Sequence, residues 1–177
     1  QILAAEKTLE SSAWYQGTAD AVRKQLFEIQ AARCDYTLIL AGDHLYRMDY
    51  AALAEYHWQT GADITVAVQP VRLDDASRFG ILKRNRDGRI TDFAEKPKDP
   101  NIVKDLISRE DPERPLLGSM GIYLFDTSLL VELLNSYPKL DDFGGDFIPQ
   151  AIETHQVYGF DFDGFWEDIG TIRSFYD

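Results

Sequence analysis

The sequence predicts an α/β fold, and three observations carry that expectation. Helix-like and strand-like patterns alternate along the chain, the arrangement of a sheet layered with helices. The apolar runs at 36–41 and 64–68 are short, rich in branched residues and bounded by polar residues or glycine, as buried strands are. Between them an apolar-periodic stretch is bracketed by Asp49 and Gly61. Strand, helix, strand is one βαβ unit, for which a right-handed crossover is expected.

In chain order the elements follow from local chemistry. Thr18 is placed to cap a helix whose positive end Asp20 favours, and Val22, Leu26 and Ile29 form its apolar face up to about Arg33. Residues 36–41 read as a buried parallel strand. Asp49 caps Tyr50–Thr60, and Gly61 closes that helix. The β-branched run 64–68 is the next strand. Gly80–Arg84 and 89–94 flank Asn85-Arg86-Asp87-Gly88, where Asp-Gly predicts a hairpin turn. Residues 98–115 are polar, hold Pro100, Pro112 and Pro115 and show no period, so a loop is expected. Another buried strand spans 118–125. Asp126 then caps a helix carrying Leu129, Leu130, Leu133 and Leu134, and Phe147-Ile148-Pro149 opens a further short one. Residues 157–162 and 165–169 are the last strands, parted by Asp163-Gly164. No linker divides the chain, so one domain is expected over residues 1–177.

Composition narrows the function. Hydrophobic residues make up 45%, too many for a disordered chain. The net charge of −12 speaks against a nucleic-acid binder and against docking on anionic lipid. It leaves room for phosphate chemistry, because a few placed cations or a metal ion can hold an anion inside an acidic protein. No apolar run approaches the ~20 residues of a membrane helix. The single cysteine, Cys34, excludes an internal disulfide framework and suits a reducing compartment.

Four constellations could carry chemistry. In Leu40-Ala41-Gly42-Asp43-His44, a carboxylate follows a buried strand at the edge where open α/β sheets bind ligands, and its oxygens suit Mg²⁺. The competing reading is a solvated turn aspartate. In Trp14-Tyr15-Gln16-Gly17-Thr18, a glycine before a helix start leaves room for a ligand, and the aromatic pair can stack on a base; a staple and cap explain the same residues. Glu95-Lys96-Pro97 can offer an ammonium to a phosphate and a carboxylate to sugar hydroxyls, although on spacing alone a surface ion pair is the simpler account. In Trp166-Glu167-Asp168-Ile169-Gly170-Thr171 a second strand-end carboxylate would complete a metal clamp, where the plain alternative is a helix cap. His44 and His57 read as structural, and no His/Cys spacing suggests zinc. A Walker-type loop and a dinucleotide Gly-x-Gly-x-x-Gly are both absent from the sequence.

In this order these segments, with Ser119-Met120-Gly121-Ile122-Tyr123 and Asp146-Phe147-Ile148-Pro149, resemble the glucose-1-phosphate adenylyltransferases (ADP-glucose pyrophosphorylases) of the bacterial and plant kind. The resemblance runs from about Leu3 to Tyr176. Gly-Asp and Glu-Lys-Pro occur across sugar nucleotidyltransferases, whereas Ala-Gly-Asp-His and Trp-Glu-Asp-Ile-Gly-Thr point to the ADP-glucose branch. It implies a Rossmann-like, mostly parallel sheet flanked by helices. It also implies Mg²⁺-dependent formation of ADP-glucose and pyrophosphate from ATP and glucose 1-phosphate, the committed step toward glycogen or starch. Asp43 and Asp168 match the family's metal-holding carboxylates. Lys96 matches the lysine on the sugar phosphate and Glu95 the glutamate on glucose hydroxyls. Ser119 and Gly80 match positions near the sugar, and Tyr15, Gly17 and Thr18 match the nucleotide segment. The catalytic set is then Asp43, Lys96 and Asp168.

The sequence departs from that pattern in two places. It has no Gly-x-Gly-x-Arg-Leu type loop for the triphosphate and no C-terminal left-handed β-helix. An internal fragment of the catalytic domain is therefore expected, weakly active or inactive by itself. The parent protein is expected to be a tetramer of the bacterial cytoplasm or a plant plastid. A sugar nucleotidyltransferase using UTP, dTTP or GTP, and a non-catalytic regulatory subunit of the same fold, are the alternatives.

Overall fold

The computed structural model describes Tyr15 and residues 17–169, except the side chain of Asp168. Helix α1 (Thr18–Arg23) and helix α2 (Leu26–Ala32) replace the single helix expected there. The chain breaks between them at Lys24 and Gln25, and α2 ends where Arg33 takes φ 52°. Thr18 is not the cap. Gly17 occupies that position, and the Thr18 hydroxyl instead reaches the distant Asp142 carboxylate, donating over 3.1 Å, and accepts from the Phe143 N–H at 3.1 Å.

Strands β1 (Tyr36–Ile39) and β2 (His44–Tyr46) precede helix α3 (Tyr50–Thr60). This helix is capped as expected: the Asp49 carboxylate accepts from Ala51 N–H and Ala52 N–H, and Gly61 closes the far end at φ 62°. Strand β3 (Ile64–Val71) leads through a 3₁₀ turn (Leu73–Arg78) into the hairpin of β4 (Gly80–Arg84) and β5 (Ile90–Glu95). The turn lies where Asp-Gly placed it. The segment expected to be a loop contains helix α4 (Pro100–Asp105). Asp99 caps it through Asn101 N–H and Pro100 fills its first turn, while Val103 and Leu106 pack on Val71, Ile81 and Leu116. Two apolar residues on a capped turn suffice once a sheet face is there to receive them.

Strand β6 (Leu116–Asp126), helix α5 (Thr127–Ser136), a π-turn (Phe143–Phe147), helix α6 (Ile148–Thr154), β7 (Val157–Asp161) and β8 (Trp166–Asp168) complete the order. Leu129, Leu130, Leu133 and Leu134 of α5 are all buried, as their spacing predicts. Asp126 makes no side-chain cap there. Its carboxylate lies 3.2 Å from His57 Nε2, and Nδ1 of the same buried ring lies 2.8 Å from the Thr65 hydroxyl. His57 is thus the packed histidine the sequence suggested, tying α3 to β3 and to the end of β6.

The main sheet runs β5-β4-β6-β3-β7, with β1 also paired to β6. Strands β1, β3, β4 and β7 point one way, and β5 and β6 the other. The expected α/β layering of a sheet flanked by helices is present, and the sheet is mixed: β3 and β7 pair in parallel, whereas β1–β6, β3–β6, β4–β6 and β4–β5 pair antiparallel. β1 is nevertheless not the buried parallel strand expected: β6 lies between β1 and β3, so β1 pairs antiparallel, and among the described residues β6 is its only partner. One face of the sheet packs under α5, α6 and the π-turn; the other packs under α3 and the β2–β8 ribbon. Burial on both faces is why β3 and β6 read as nearly continuous apolar runs.

Two substitutions test this core. Leu130→Ala, at a fully buried position of α5, is expected to cost about 2–5 kcal/mol. Asp49→Ala, which removes a cap, is expected to cost about 1 kcal/mol. Urea unfolding of both variants measures the difference; an Asp49→Ala loss as large as that of Leu130→Ala would mean Asp49 does more than cap.

Candidate active site

The sheet forks along one side of β6. Residues 123–126 of β6 pair with β1, whereas Leu117 and Gly118 pair with β4. Among the described residues, the stretch between them has no strand neighbour on that side. Here the register with β3 also shifts, from Tyr123 opposite Val66 to Ser119 opposite Val68. Gly121 sits inside this bulge at φ 67°, a left-handed conformation that side chains with a Cβ disfavour. The fork opens into a cleft of about 510 Å³. A separate depression of about 460 Å³, between Cys34 and α5, holds none of the candidate catalytic, substrate or metal residues.

Asp43 reaches the cleft from the end of β1. Its side chain is 62% exposed, with Oδ1 3.6 Å from His44 Nε2. The ribbon fixes its backbone: His44 lies opposite Asp168, and Ile169 N–H donates to the Asp43 carbonyl at 2.9 Å. The two strand-end aspartates are therefore joined by one backbone ladder. The side chain of Asp168, and Gly170 and Thr171 after it, lie outside the described residues. His44 stacks edge-on to Trp166 at 4.8 Å, and its buried Nδ1 has no hydrogen-bond partner among the described residues. A Cβ on Gly121 would come within 3.2 Å of that ring.

Opposite stands the open end of the β4–β5 hairpin, where Gly80 faces Glu95. A Cβ on Gly80 would meet the tip of Phe93 at 2.6 Å and a Glu95 carboxylate oxygen at 2.9 Å, so a larger residue there would push both side chains from their present places. Lys96 follows at φ 44° with its N–H bonded to the Phe79 carbonyl at 3.0 Å. A lysine in left-handed backbone is uncommon, and such strain collects at functional sites. Its ammonium lies 3.5 Å from a Glu95 oxygen, and both side chains are more than one-third exposed. The simple ion pair is present, and it faces the cleft. Burial pushes the Glu95 carboxyl above its usual range; Lys96 opposes that shift and Asp142 adds to it.

The floor is Ser119, whose hydroxyl accepts from Gly121 N–H at 3.2 Å and lies 3.5 Å from the Tyr123 hydroxyl. Burial pushes the Tyr123 phenol up to about 12. Thr18, Asp43, Gly80, Glu95, Lys96 and Ser119 therefore line one cleft. Tyr15 and Gly17 do not. The Tyr15 ring lies 5.1 Å under the Lys24 ammonium and its hydroxyl accepts from Gln25. A Cβ on Gly17 would come within 2.3 Å of the Asp141 carbonyl, which also accepts from Ala19 N–H. The room expected for a ligand before α1 is filled by protein backbone.

The structure adds Tyr123, Asp142, Phe143, Gly144 and Trp166 to the lining. Asp142 is held by Thr18 and by Gly145 N–H, which donates to it at 2.7 Å. The signal for it was paired aspartates before Phe-Gly-Gly at a helix start, a pattern that reads equally as a turn. Across these walls the cleft sets carboxylates against one strained lysine, suiting a polyhydroxylated ligand that carries a phosphate.

A family model for nucleotidyl transferases matches residues 1–177. The chain belongs to the nucleotidyl transferase family. It is thus a member of an enzyme family that transfers nucleotidyl groups, for which nucleotide and sugar phosphate substrates are typical. Among the described residues no helix is long and apolar enough to cross a membrane. None of them form a group of three His, Cys, Asp or Glu side chains able to hold a metal by themselves.

Because its carboxyl is pushed up, Glu95 favours the fold when protonated. That contribution is complete below the ordinary Glu value of 4.5 and is lost as pH rises through the folded value. Glu95→Gln is therefore expected to stabilise the ligand-free chain at neutral pH, with the difference vanishing below the ordinary value. Urea unfolding across pH 4–8 measures it, and a less stable variant at neutral pH would show the Lys96 pair outweighing burial.

Proposed function

We propose that this cleft joins glucose 1-phosphate to ATP, giving ADP-glucose and pyrophosphate, with Mg²⁺, as a step toward glycogen or starch. The observation that carries the reading is the convergence of Thr18, Asp43, Gly80, Glu95, Lys96 and Ser119, picked from separate segments, on one cleft. The Ala-Gly-Asp-His and Trp-Glu-Asp-Ile-Gly-Thr segments support adenylyl transfer over transfer from UTP, dTTP or GTP.

In this reading a phosphate oxygen of glucose 1-phosphate bonds to the α-phosphorus of ATP, the bond from that phosphorus to the bridging oxygen breaks, and pyrophosphate leaves. No side chain forms a covalent bond, so the residues act by position and charge. Lys96 holds the sugar phosphate, and Glu95 and Ser119 accept or share hydroxyl hydrogen bonds from the sugar. Thr18 stands on the nucleotide side, with Tyr15 and Gly17 behind it supporting α1. Asp43 and Asp168 would hold Mg²⁺. Their fit rests on hard oxygen donors, on the exposure of Asp43 and on the ladder joining their backbones. Mg²⁺ commonly takes one or two carboxylates and completes its shell with water and phosphates. Once bound it would neutralise developing charge on the phosphates.

The test is pyrophosphate release from the purified chain with glucose 1-phosphate, Mg²⁺ and each of ATP, UTP, GTP and dTTP. Release with ATP alone supports the proposal, and Asp43→Asn is then expected to slow turnover roughly 100-fold or more. Release with another nucleotide replaces the adenylyl assignment. Glucose 1-phosphate binding without release from any of the four, in this chain and in the parent protein alike, favours a non-catalytic subunit.

A further inference from the structure

We propose that Arg78 is a second cation for the phosphate of the sugar phosphate, a role that rests on the reading of the cleft above. Arg78 ends the 3₁₀ turn Leu73–Arg78 and lines the cleft beside Phe79 and Gly80. The Phe79 carbonyl accepts from Lys96 N–H at 3.0 Å, so the backbone next to Arg78 is bonded to the backbone of the strained lysine. Both cations are therefore mounted at the same end of the β4–β5 hairpin.

The charge balance of the lining favours a second side-chain cation. The lining carries the carboxylates of Asp43, Glu95 and Asp142. Lys96 shares its ammonium with Glu95 at 3.5 Å. A phosphate monoester carries close to two negative charges at neutral pH, since its second pKa is about 6. One shared ammonium does not neutralise it against those carboxylates. Arg78 is available: its contact with Asp75 is 3.4 Å long, its side chain is 59% exposed and that of Asp75 39%. Such pairs are weak and readily exchanged for a better anion. The guanidinium also lies 5.7 Å from the Phe79 ring centroid, which limits its orientations. A planar fork matches two phosphate oxygens at once, which an ammonium cannot do.

Titration calorimetry of the purified chain with glucose 1-phosphate, without Mg²⁺, tests this. Arg78→Ala is expected to weaken binding roughly 10-fold to 100-fold, the size of one charge-assisted hydrogen bond. Arg78→Lys is expected to recover part of the loss. Arg86→Ala, in the exposed turn at the far end of the same hairpin, removes one charge and is expected to change nothing. Wild-type affinity in Arg78→Ala, with weakened binding in Lys96→Ala, overturns the role of Arg78 and leaves the cleft assignment standing. An equal loss in Arg86→Ala also overturns it, by showing a general field effect. If the wild-type chain unfolds cooperatively yet binds no glucose 1-phosphate, the cleft assignment and the role of Arg78 fall together.

Discussion

Gly121 holds a left-handed backbone near the middle of the 11-residue strand β6, and the cleft depends on that bulge. A regular β6 would keep one register with β3 throughout and present an unbroken edge on its other side. The bulge shifts the register between Ser119 and Tyr123, and β6 exchanges β4 for β1 across it. The gap this leaves is where a ligand can approach the sheet edge. Met120 and Ile122 stay fully buried on either side of Gly121, so the irregularity is anchored by apolar packing. The same glycine leaves space for the His44 ring, which a Cβ there would approach within 3.2 Å.

The walls of the cleft hang on short ladders. The β2–β8 ribbon carries Asp43, His44 and Trp166, and is a two-stranded sheet separate from the main one. The hairpin carrying Gly80, Glu95 and Lys96 is secured at its other end, where Gly159 N–H donates to the Gly88 carbonyl and Arg84 pairs with Asp161 at 2.7 Å. Tying the far end lets the near end hold Lys96 in its unfavourable backbone. The strain is sustained by the Phe79 carbonyl and the hairpin register together.

The electrostatics of the cleft have the same sense as those of the chain. An acidic protein with carboxylates lining its cleft repels a free phosphate, which makes each cation there selective. Glu95 is raised by its own burial and by Asp142, and Lys96 only partly compensates. A ligand that brings hydroxyls to Glu95 and a phosphate to the cations relieves both costs, whereas one lacking either group relieves only one. Discrimination of this kind comes from leaving buried polar groups unpaired with the wrong ligand.

Much of this was legible in the residues. Asp49 and Gly61 bounded α3, Asp-Gly placed the hairpin turn, and the leucines of α5 declared their buried face, because these signals act within a few residues. The motifs Asp43-His44 and Glu95-Lys96 were visible for the same reason, each being contiguous, whereas Ser119 was named only through the family resemblance. Partners far apart in the chain were not visible. Thr18 and Asp126 look like caps locally, yet their oxygens serve Asp142 and His57 across the fold. Gly17 looked open, and Asp141 fills the space. β1 looked buried and parallel because its composition is apolar, but which strand lies beside it is a property of β6. The sequence by itself determined most of the element types, the two apolar faces and the residues able to do phosphate chemistry, though not helix α4 or the break between α1 and α2. Only the tertiary structure decided which of them share a cleft, because that depends on the order in which strands pair, and no local spacing encodes it.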